Sequence, residues 1–203
     1  MTRTARVAPG ERAQVGFINA AIAAGLGRAA GTEAPNLFLT LGRHRRLFRG
    51  WLHFAGTLMP GGRLSRRETE MVILRVAHGR RCDYKLAHHR HLGARAGLTT
   101  GDIGLLGTDE AAEDPRWSRS ERDLLRAVDQ LLDTHDVDDE CWDALRRSYD
   151  ERQLIELVML VGHYEMLATA ITTLGIEADR PRRRRRPGLH RAVRRGRARR
   201  AAG

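Results

Sequence analysis

Four side chains able to carry out chemistry follow one another in the first half of the chain: Glu70, Cys82, Lys85 and His89. If the last three share a helix, Cys82 and His89 are seven positions apart, close to two turns, and lie on nearly the same face. Lys85 lies between them on that face. Glu70 precedes Cys82 by twelve positions, so its carboxylate reaches the same groove if its helix packs antiparallel against theirs.

This combination of groups indicates proton transfer and thiol chemistry. A carboxylate that hydrogen-bonds an imidazole fixes its tautomer and raises its basicity, and the imidazole can then draw a proton from a thiol directly or through a water. A thiol beside a cation ionises more readily, and the thiolate attacks peroxides or disulfides. We therefore identify Cys82, His89 and Glu70 as candidate catalytic residues, with Lys85 and Tyr84 as candidate supporting residues.

Each of these residues also has a purely structural interpretation. Cys82 alone is compatible with an inert buried thiol. Tyr84 either packs in the core or lines the pocket. Lys85 is either a solvated side chain or a cation that stabilises the Cys82 thiolate or binds a substrate carboxylate.

Metal and cofactor sites are not favoured by the sequence. A zinc site could use Cys82, His89 and Glu70, with His78 four positions before the thiol as a further ligand. No CxxC pair accompanies them, so we predict no metal. The chain has no P-loop and no dinucleotide fingerprint after a strand, and we predict no cofactor.

The elements that must position these residues are predicted to be helices. Strand signals are scarce, and two capping boxes, Ser65-x-x-Glu68 and Ser118-x-x-Glu121, predict helix starts. We predict an all-α fold of about eight or nine helices. They cover about residues 10–28, a segment opening at Pro35, 51–58, 65–78, 81–96, 99–104, 118–133, 138–149 and 151–174.

The net charge of +11 is concentrated at one end of the chain. Residues 180–203 hold twelve arginines and no acid; the other 24 basic residues face 25 acidic ones, so the remainder carries a net charge of −1. With almost no apolar material, this segment is predicted to be a disordered tail. It could bind a polyanion weakly through phosphate contacts, but it has no aromatic residue for stacking on bases.

The sequence favours a cytoplasmic protein without a membrane span. Its N-terminus lacks the apolar core of a signal peptide. The most apolar stretch, residues 154–174, contains Glu156, His163 and Glu165, which favours a buried helix over a spanning one. Two cysteines, Cys82 and Cys141, provide no disulfide framework, and a reducing compartment fits them best.

The stretch LSRRETEMVILRVAHGRRCDYKLAHHRHLGARAGL resembles the core motif of the carboxymuconolactone decarboxylase/alkylhydroperoxidase D (AhpD)-like family. That motif has a Glu followed about a dozen residues later by C-x-x-C-x-x-x-H or a derivative, which correspond here to Glu70, Cys82 and His89. The flanks PNLFLTLGRHRRLFRGW and QLIELVMLVGHYEMLATAITTLG resemble longer members. The resemblance implies an AhpD-like helical domain over residues 33–178, between an N-terminal helix and linker (1–32) and the tail (179–203). It also implies a homo-oligomer with its groove near a subunit interface.

One departure from the family pattern separates the functional hypotheses: Lys85 replaces the second motif thiol, so Cys82 lacks an intramotif disulfide partner. The leading hypothesis is a thiol-dependent, peroxiredoxin-type antioxidant oxidoreductase in which Cys82 attacks a peroxide and an external thiol reduces it. The second is a decarboxylase-like or other acid–base enzyme that uses Glu70 and His89 on a small organic acid or lactone. The third is an inactive family member that acts by binding.

Overall fold

The computed structural model describes residues 5–30 and 32–181, and they form ten α-helices and one short 3₁₀ helix. The all-α fold predicted from the sequence is therefore confirmed. The helices are α1 (Arg12–Val15), α2 (Phe17–Ala30), α3 (Asn36–Gly42), α4 (Arg45–Leu58), α5 (Arg66–Gly79), α6 (Asp83–Arg95), α7 (Thr100–Leu105), the 3₁₀ helix (Ala111–Glu113), α8 (Arg119–Thr134), α9 (Asp139–Arg146) and α10 (Glu151–Leu174).

Local capping chemistry sets several of these boundaries. Both predicted capping boxes form: Ser65 Oγ accepts the backbone N–H of Glu68 at 3.2 Å, while the Glu68 carboxylate accepts the N–H of Ser65 at 2.9 Å. Ser118 caps α8 in the same reciprocal way. α10 covers the predicted residues and ends at Gly175, whose φ of 67° is readily adopted by glycine.

The count of α-helices exceeds the prediction because the predicted first helix is divided in two, and a second boundary, between α3 and α4, lies at a different place. Gly16, at φ 81°, breaks the predicted first helix into α1 and α2. The segment that opens at Pro35 forms α3. A separate cap then starts α4 at Arg45, because the His44 imidazole accepts the backbone N–H of Leu47 at 3.3 Å.

The start of α6 also differs from the prediction, and this changes the setting of the thiol. Arg81 was predicted to open the helix but has a φ of 49°, so α6 begins at Asp83. Cys82 is therefore the N-cap residue of α6 rather than a residue within it.

α5 is the central element, because it contributes to both parts of the hydrophobic core. Its Val72 and Ile73 pack in a cluster formed largely with α8 and α10. Its Met71 and Leu74 pack in a second cluster with α6, α7 and Trp117. A helix that buries apolar residues on nearly all sides belongs inside the protein, and this fixes the orientation of any polar group it carries.

α10 is long and apolar enough to cross a membrane by length and composition, but 56% of its most apolar stretch is buried within the protein. Its buried carboxylate, Glu156, is satisfied by the chain that precedes α5. Glu156 accepts the backbone N–H of Arg63 at 2.5 Å and that of Leu64 at 3.2 Å. These bonds tie the 59–64 connection to the core.

The C-terminal end of the helical body lies slightly beyond the predicted boundary at residue 178. Asp179 accepts hydrogen bonds from the backbone N–H of Asn36 at 2.7 Å and from the Tyr84 hydroxyl, so it belongs to the packed body. Residues 182–203, where we predicted the arginine-rich disordered tail, lie outside the described residues.

Gly62 provides a test of the packing between the 59–64 connection and α10. A Cβ at this position would lie 2.2 Å from Glu156 Oε1 and 2.6 Å from the backbone oxygen of Leu58. We expect Gly62→Ala to lower the free energy of unfolding by about 1–3 kcal/mol, as overpacking does, when measured by urea denaturation.

The matched control for this substitution is Gly50→Ala inside α4. Its added Cβ would meet nothing within 4 Å, so alanine's higher helix propensity should raise stability by up to about 1 kcal/mol. Equal stability changes in the two variants would contradict this account of the connection.

Candidate active site

Antiparallel packing of α5 and α6 brings the candidate acid and base together. The turn between the helices is closed by a 2.8 Å hydrogen bond from the backbone N–H of Cys82 to the carbonyl of Ala77. At the other end, Gly93 of α6 lies against Leu74 and Glu70 of α5, where only a small residue fits. The predicted approach of Glu70 to the residues of α6 depended on this antiparallel packing.

The result is a buried carboxylate–imidazole pair. Glu70 Oε2 lies 2.8 Å from His89 Nδ1, and the two residues are 0% and 3% exposed. A guanidinium nitrogen of Arg66 lies 2.9 Å from the other carboxylate oxygen, although without the alignment of a hydrogen bond. The nearby cation lowers the cost of burying the negative charge of Glu70.

Burial controls the protonation of His89. Loss of solvation lowers the pKa of His89, and its hydrogen bond to the Glu70 carboxylate opposes that effect without reversing it. The ring is therefore neutral at pH 7. Because Nδ1 faces an acceptor carboxylate, its proton sits on Nδ1 and leaves Nε2 with a free lone pair.

His89 borders a cavity of about 570 Å³ that α6 shares with α2, α4 and α10. The lining is mainly apolar, and most of it comes from helices distant from α5 and α6 in sequence. Apolar lining residues include Ile22, Leu26, Trp51, Leu52, Met59 and Leu167; Tyr84, Lys85, His88, His89, His163 and Tyr164 supply polar groups. A volume of this size suits a small organic molecule.

Lys85 is not a solvated side chain, and that interpretation of the sequence is wrong. Lys85 is 7% exposed, lines the cavity and holds its Nζ 5.0 Å from the centre of the Tyr164 ring. Burial lowers the pKa of Lys85 to about 8, although Cys82, Asp179 and Glu70 favour the charged form. Its amine is therefore partly neutral near physiological pH.

Cys82 has a different environment from the acid–base pair. It is 2% exposed and belongs to the larger hydrophobic cluster, and it is not among the described residues that line the cavity. Burial raises the pKa of the Cys82 thiol, while the backbone N–H and the ammonium of Lys85 oppose that rise. Within the described part of the chain, no hydrogen bond joins its sulfur to His89 or Glu70.

Tyr84 combines the two alternatives considered for it, because it is buried and also lines the cavity. Its hydroxyl donates to the Asp179 carboxylate at 2.9 Å, and His88 Nε2 lies 2.6 Å from the same group. Burial and the neighbouring carboxylate raise the pKa of Tyr84. Tyr84 therefore forms part of the cavity wall as a neutral phenol.

The hypothetical zinc ligands do not converge. The His78 ring packs against Gly107, on the chain that follows α7. In the described ranges, no group of three or more His, Cys, Asp or Glu side chains is arranged to hold a metal ion.

Sequence reasoning missed three contributors to the cavity. Tyr164 meets the His89 ring edge to face at 5.4 Å, and His163 stacks on Trp51 with ring centres 6.1 Å apart. The only signal was the presence of His163 and Tyr164 within an otherwise apolar helix. Trp51 carried no sequence signal, because its role depends on how α4 packs against α10.

Sequence comparison finds a family model that matches the central part of the chain. Residues 45–130, which include all of α5 and α6, match the carboxymuconolactone decarboxylase family. This match supports the carboxymuconolactone decarboxylase/AhpD-like family for the segment that carries the site. No curated protein matches it significantly in sequence.

Solved structures show that the chain has the AhpD-like fold. It is similar to the AhpD core of an uncharacterized peroxidase-related protein from Ralstonia eutropha JMP134, with a TM-score of 0.76, 18% identity, and coverage of 88% of this chain and 94% of that one. It also resembles an uncharacterized peroxidase-related protein from Silicibacter sp. TM1040, with a TM-score of 0.71, 12% identity, and coverage of 83% and 91%.

A third similar structure is the debrominase Bmp8, as a cysteine-to-alanine variant in complex with 2,3,4-tribromopyrrole. Its TM-score is 0.70 at 17% identity, with coverage of 88% of this chain and 95% of that one. At such low identities the likeness establishes the fold alone. The activity of this chain must therefore be argued from its own residues.

Burial of His163 in α10 makes the stability of the folded protein depend on pH. Burial lowers the pKa of His163 to about 4, from an ordinary value of 6.5. Between these values the unfolded chain binds more protons than the folded one, so stability is lost as the pH falls from 6.5 towards 4. We expect the free energy of unfolding, from urea denaturation at pH 7.5 and pH 5, to fall less on acidification in His163→Phe.

The control is His91→Gln, which alters an exposed imidazole on α6. It should retain the pH dependence of the unmodified protein. An unchanged pH dependence in His163→Phe would contradict the assignment of this buried neutral imidazole.

Proposed function

We propose that this protein is an acid–base enzyme acting on a small, mainly apolar organic acid or lactone, with His89 as the proton carrier. The observation that carries the proposal is the 2.8 Å contact between Glu70 Oε2 and His89 Nδ1 beside the apolar cavity. Glu70 is the positioning residue, because it fixes the tautomer that leaves Nε2 free.

The chemistry follows from the protonation state of the pair. Neutral His89 can accept a proton at Nε2 from the substrate, and the resulting imidazolium is stabilised by Glu70. The same nitrogen can return the proton to another substrate atom. In a decarboxylation, the bond to the carboxylate carbon breaks, carbon dioxide leaves, and the electron pair left on the substrate carbon takes the proton from His89.

The cavity supports substrates of a restricted kind. Its apolar walls favour a substrate with a hydrophobic body, and the Lys85 side chain offers a donor for a carboxylate or carbonyl oxygen. The structurally similar debrominase was solved with a small ring compound, 2,3,4-tribromopyrrole. Ligands of that size are compatible with the volume of about 570 Å³.

Thiol peroxidase activity is the second candidate, and one observation favours it. Cys82 is the N-cap of α6, where the backbone N–H and the ammonium of Lys85 both promote the thiolate. In this reaction the thiolate attacks one peroxide oxygen, the O–O bond breaks, and a sulfenic acid and an alcohol or water form. An external thiol then reduces the sulfenic acid. The burial of Cys82 opposes this reaction.

One set of variants separates the two candidates. With carboxymuconolactone as the probe substrate, we expect Glu70→Gln and His89→Gln to lower kcat/KM by about 10²–10⁴-fold, because they remove the proton carrier or its partner. Cys82→Ser should retain most of the activity. Turnover is measured by carbon dioxide release, and each variant is checked by circular dichroism.

The control on the same helix is the exposed His91→Gln, which should retain full activity. A parallel assay measures hydrogen peroxide consumption with a dithiol reductant. Peroxide turnover that disappears in Cys82→Ser, together with no action on the lactone, would replace the acid–base proposal with the thiol one.

A further inference from the structure

Lys85 is the only lysine of the chain, and the proposed function uses it only as a hydrogen-bond donor. Its environment is unusual for an ammonium group. Lys85 is buried at the edge of a mainly apolar cavity, and among the described residues no carboxylate lies within 4.0 Å of its Nζ. A surface lysine is usually solvated, whereas this one faces the substrate cavity.

Burial without an ion-pair partner makes the amine a nucleophile. Loss of solvation lowers the pKa of Lys85 to about 8, so a minor but far larger than usual fraction of the amine is neutral near pH 7. A neutral amine carries the lone pair that attacks carbonyl carbons, and enzymes activate lysines for this chemistry by burial.

We propose that Lys85 captures the carbonyl carbon of a small, mainly apolar aldehyde or ketone as a Schiff base in the cavity. This deepens the proposed function, on which it rests for the use of His89 as the proton carrier. It names the substrate class as an oxo compound, with the keto acids as its acidic members.

The step balances without a further reactant. The Nζ lone pair forms a bond to the carbonyl carbon, and the carbonyl oxygen takes a proton to give a carbinolamine. His89, whose Nε2 takes up the proton that the Lys85 ammonium loses before the attack, then supplies the proton with which that oxygen leaves as water, and a C=N bond forms. Overall, an ammonium and a carbonyl compound give an iminium and one water.

The surroundings of Nζ stabilise the product. The iminium keeps its positive charge near the Tyr164 ring, 5.0 Å from Nζ, so the attraction between cation and ring is retained. The groups that favour a cation at this position, Cys82 first and then Asp179 and Glu70, act on the iminium as well. An apolar cavity also limits the water that would hydrolyse the C=N bond.

The iminium explains what a lysine contributes to acid–base chemistry in this cavity. It can accept the electron pair released when a proton or carbon dioxide leaves the neighbouring carbon. His89 can then protonate that carbon. A lysine in the position of the second motif thiol would thus give this chain a covalent route that a thiol does not offer.

The test is reductive trapping with benzaldehyde as the probe. The full chain is incubated with benzaldehyde and sodium cyanoborohydride at pH 7, and the product is digested with trypsin and analysed by mass spectrometry. Modified Lys85 resists trypsin, so it appears in one peptide spanning residues 82–90, because Arg81 and Arg90 flank it. We expect this peptide to form at least about tenfold faster than reduced adduct on free Nα-acetyl-lysine, because the amine is less protonated.

Two variants serve as controls. Lys85→Arg keeps the charge and Lys85→Met keeps the approximate shape, and both should give no adduct at this position while keeping the native circular dichroism spectrum. Because either substitution could alter folding, the rate comparison with Nα-acetyl-lysine is made on the unmodified protein. Modification confined to the chain's α-amine, or trapping at Lys85 no faster than on Nα-acetyl-lysine, overturns the proposal.

Failure of the Schiff-base proposal can be distinguished from failure of the proposed function. Trapping at Lys85 in a protein whose His89→Gln variant keeps full turnover supports the Schiff base and rejects His89 as the proton carrier. Loss of turnover in that variant without trapping at Lys85 rejects the Schiff base alone.

Discussion

The site depends on one buried hydrogen bond, between the carboxylate of Glu70 and the imidazole of His89. A carboxylate with no solvent contact is costly to bury unless it is paired, and its partners here are His89 and, more loosely, Arg66. The pairing requires α5 and α6 to pack antiparallel at short range, which Gly93 permits. Because α5 lies between both parts of the core, the pair is held by rigid elements, as a proton-transfer site requires.

The cavity determines the protonation states of the groups beside this pair. Burial lowers the pKa of both His89 and Lys85, so a neutral imidazole and a lysine with an accessible neutral fraction coexist near neutral pH. The same burial has the opposite consequence for Cys82, whose reactive form is the charged one. One physical cause thus favours proton transfer and amine chemistry over thiolate chemistry at this site.

The sequence predicted what depends on local periodicity and capping. The starts of α5 and α8 followed from their serine caps, and the meeting of Glu70 with His89 followed from helical spacing plus antiparallel packing. It left open whether Cys82 is a reactive or a buried thiol, because its burial depends on the left-handed backbone at Arg81 and on packing in the larger core cluster. Nor could the sequence predict the cavity. The cavity walls come from several helices that are separated in sequence, and no local sequence pattern indicates that these helices pack together.

The proposed function depends on the protonation state of the His89 ring. Long-range ¹H–¹⁵N correlation spectra of the histidine side chains measure that state directly. With assignment by His89→Gln, we predict that His89 is mainly neutral at pH 7 with its proton on Nδ1, and that the neutral form still predominates at pH 6.5 because burial holds its pKa below that value. A His89 ring that is positively charged at pH 7, or neutral with its proton on Nε2, would contradict the account.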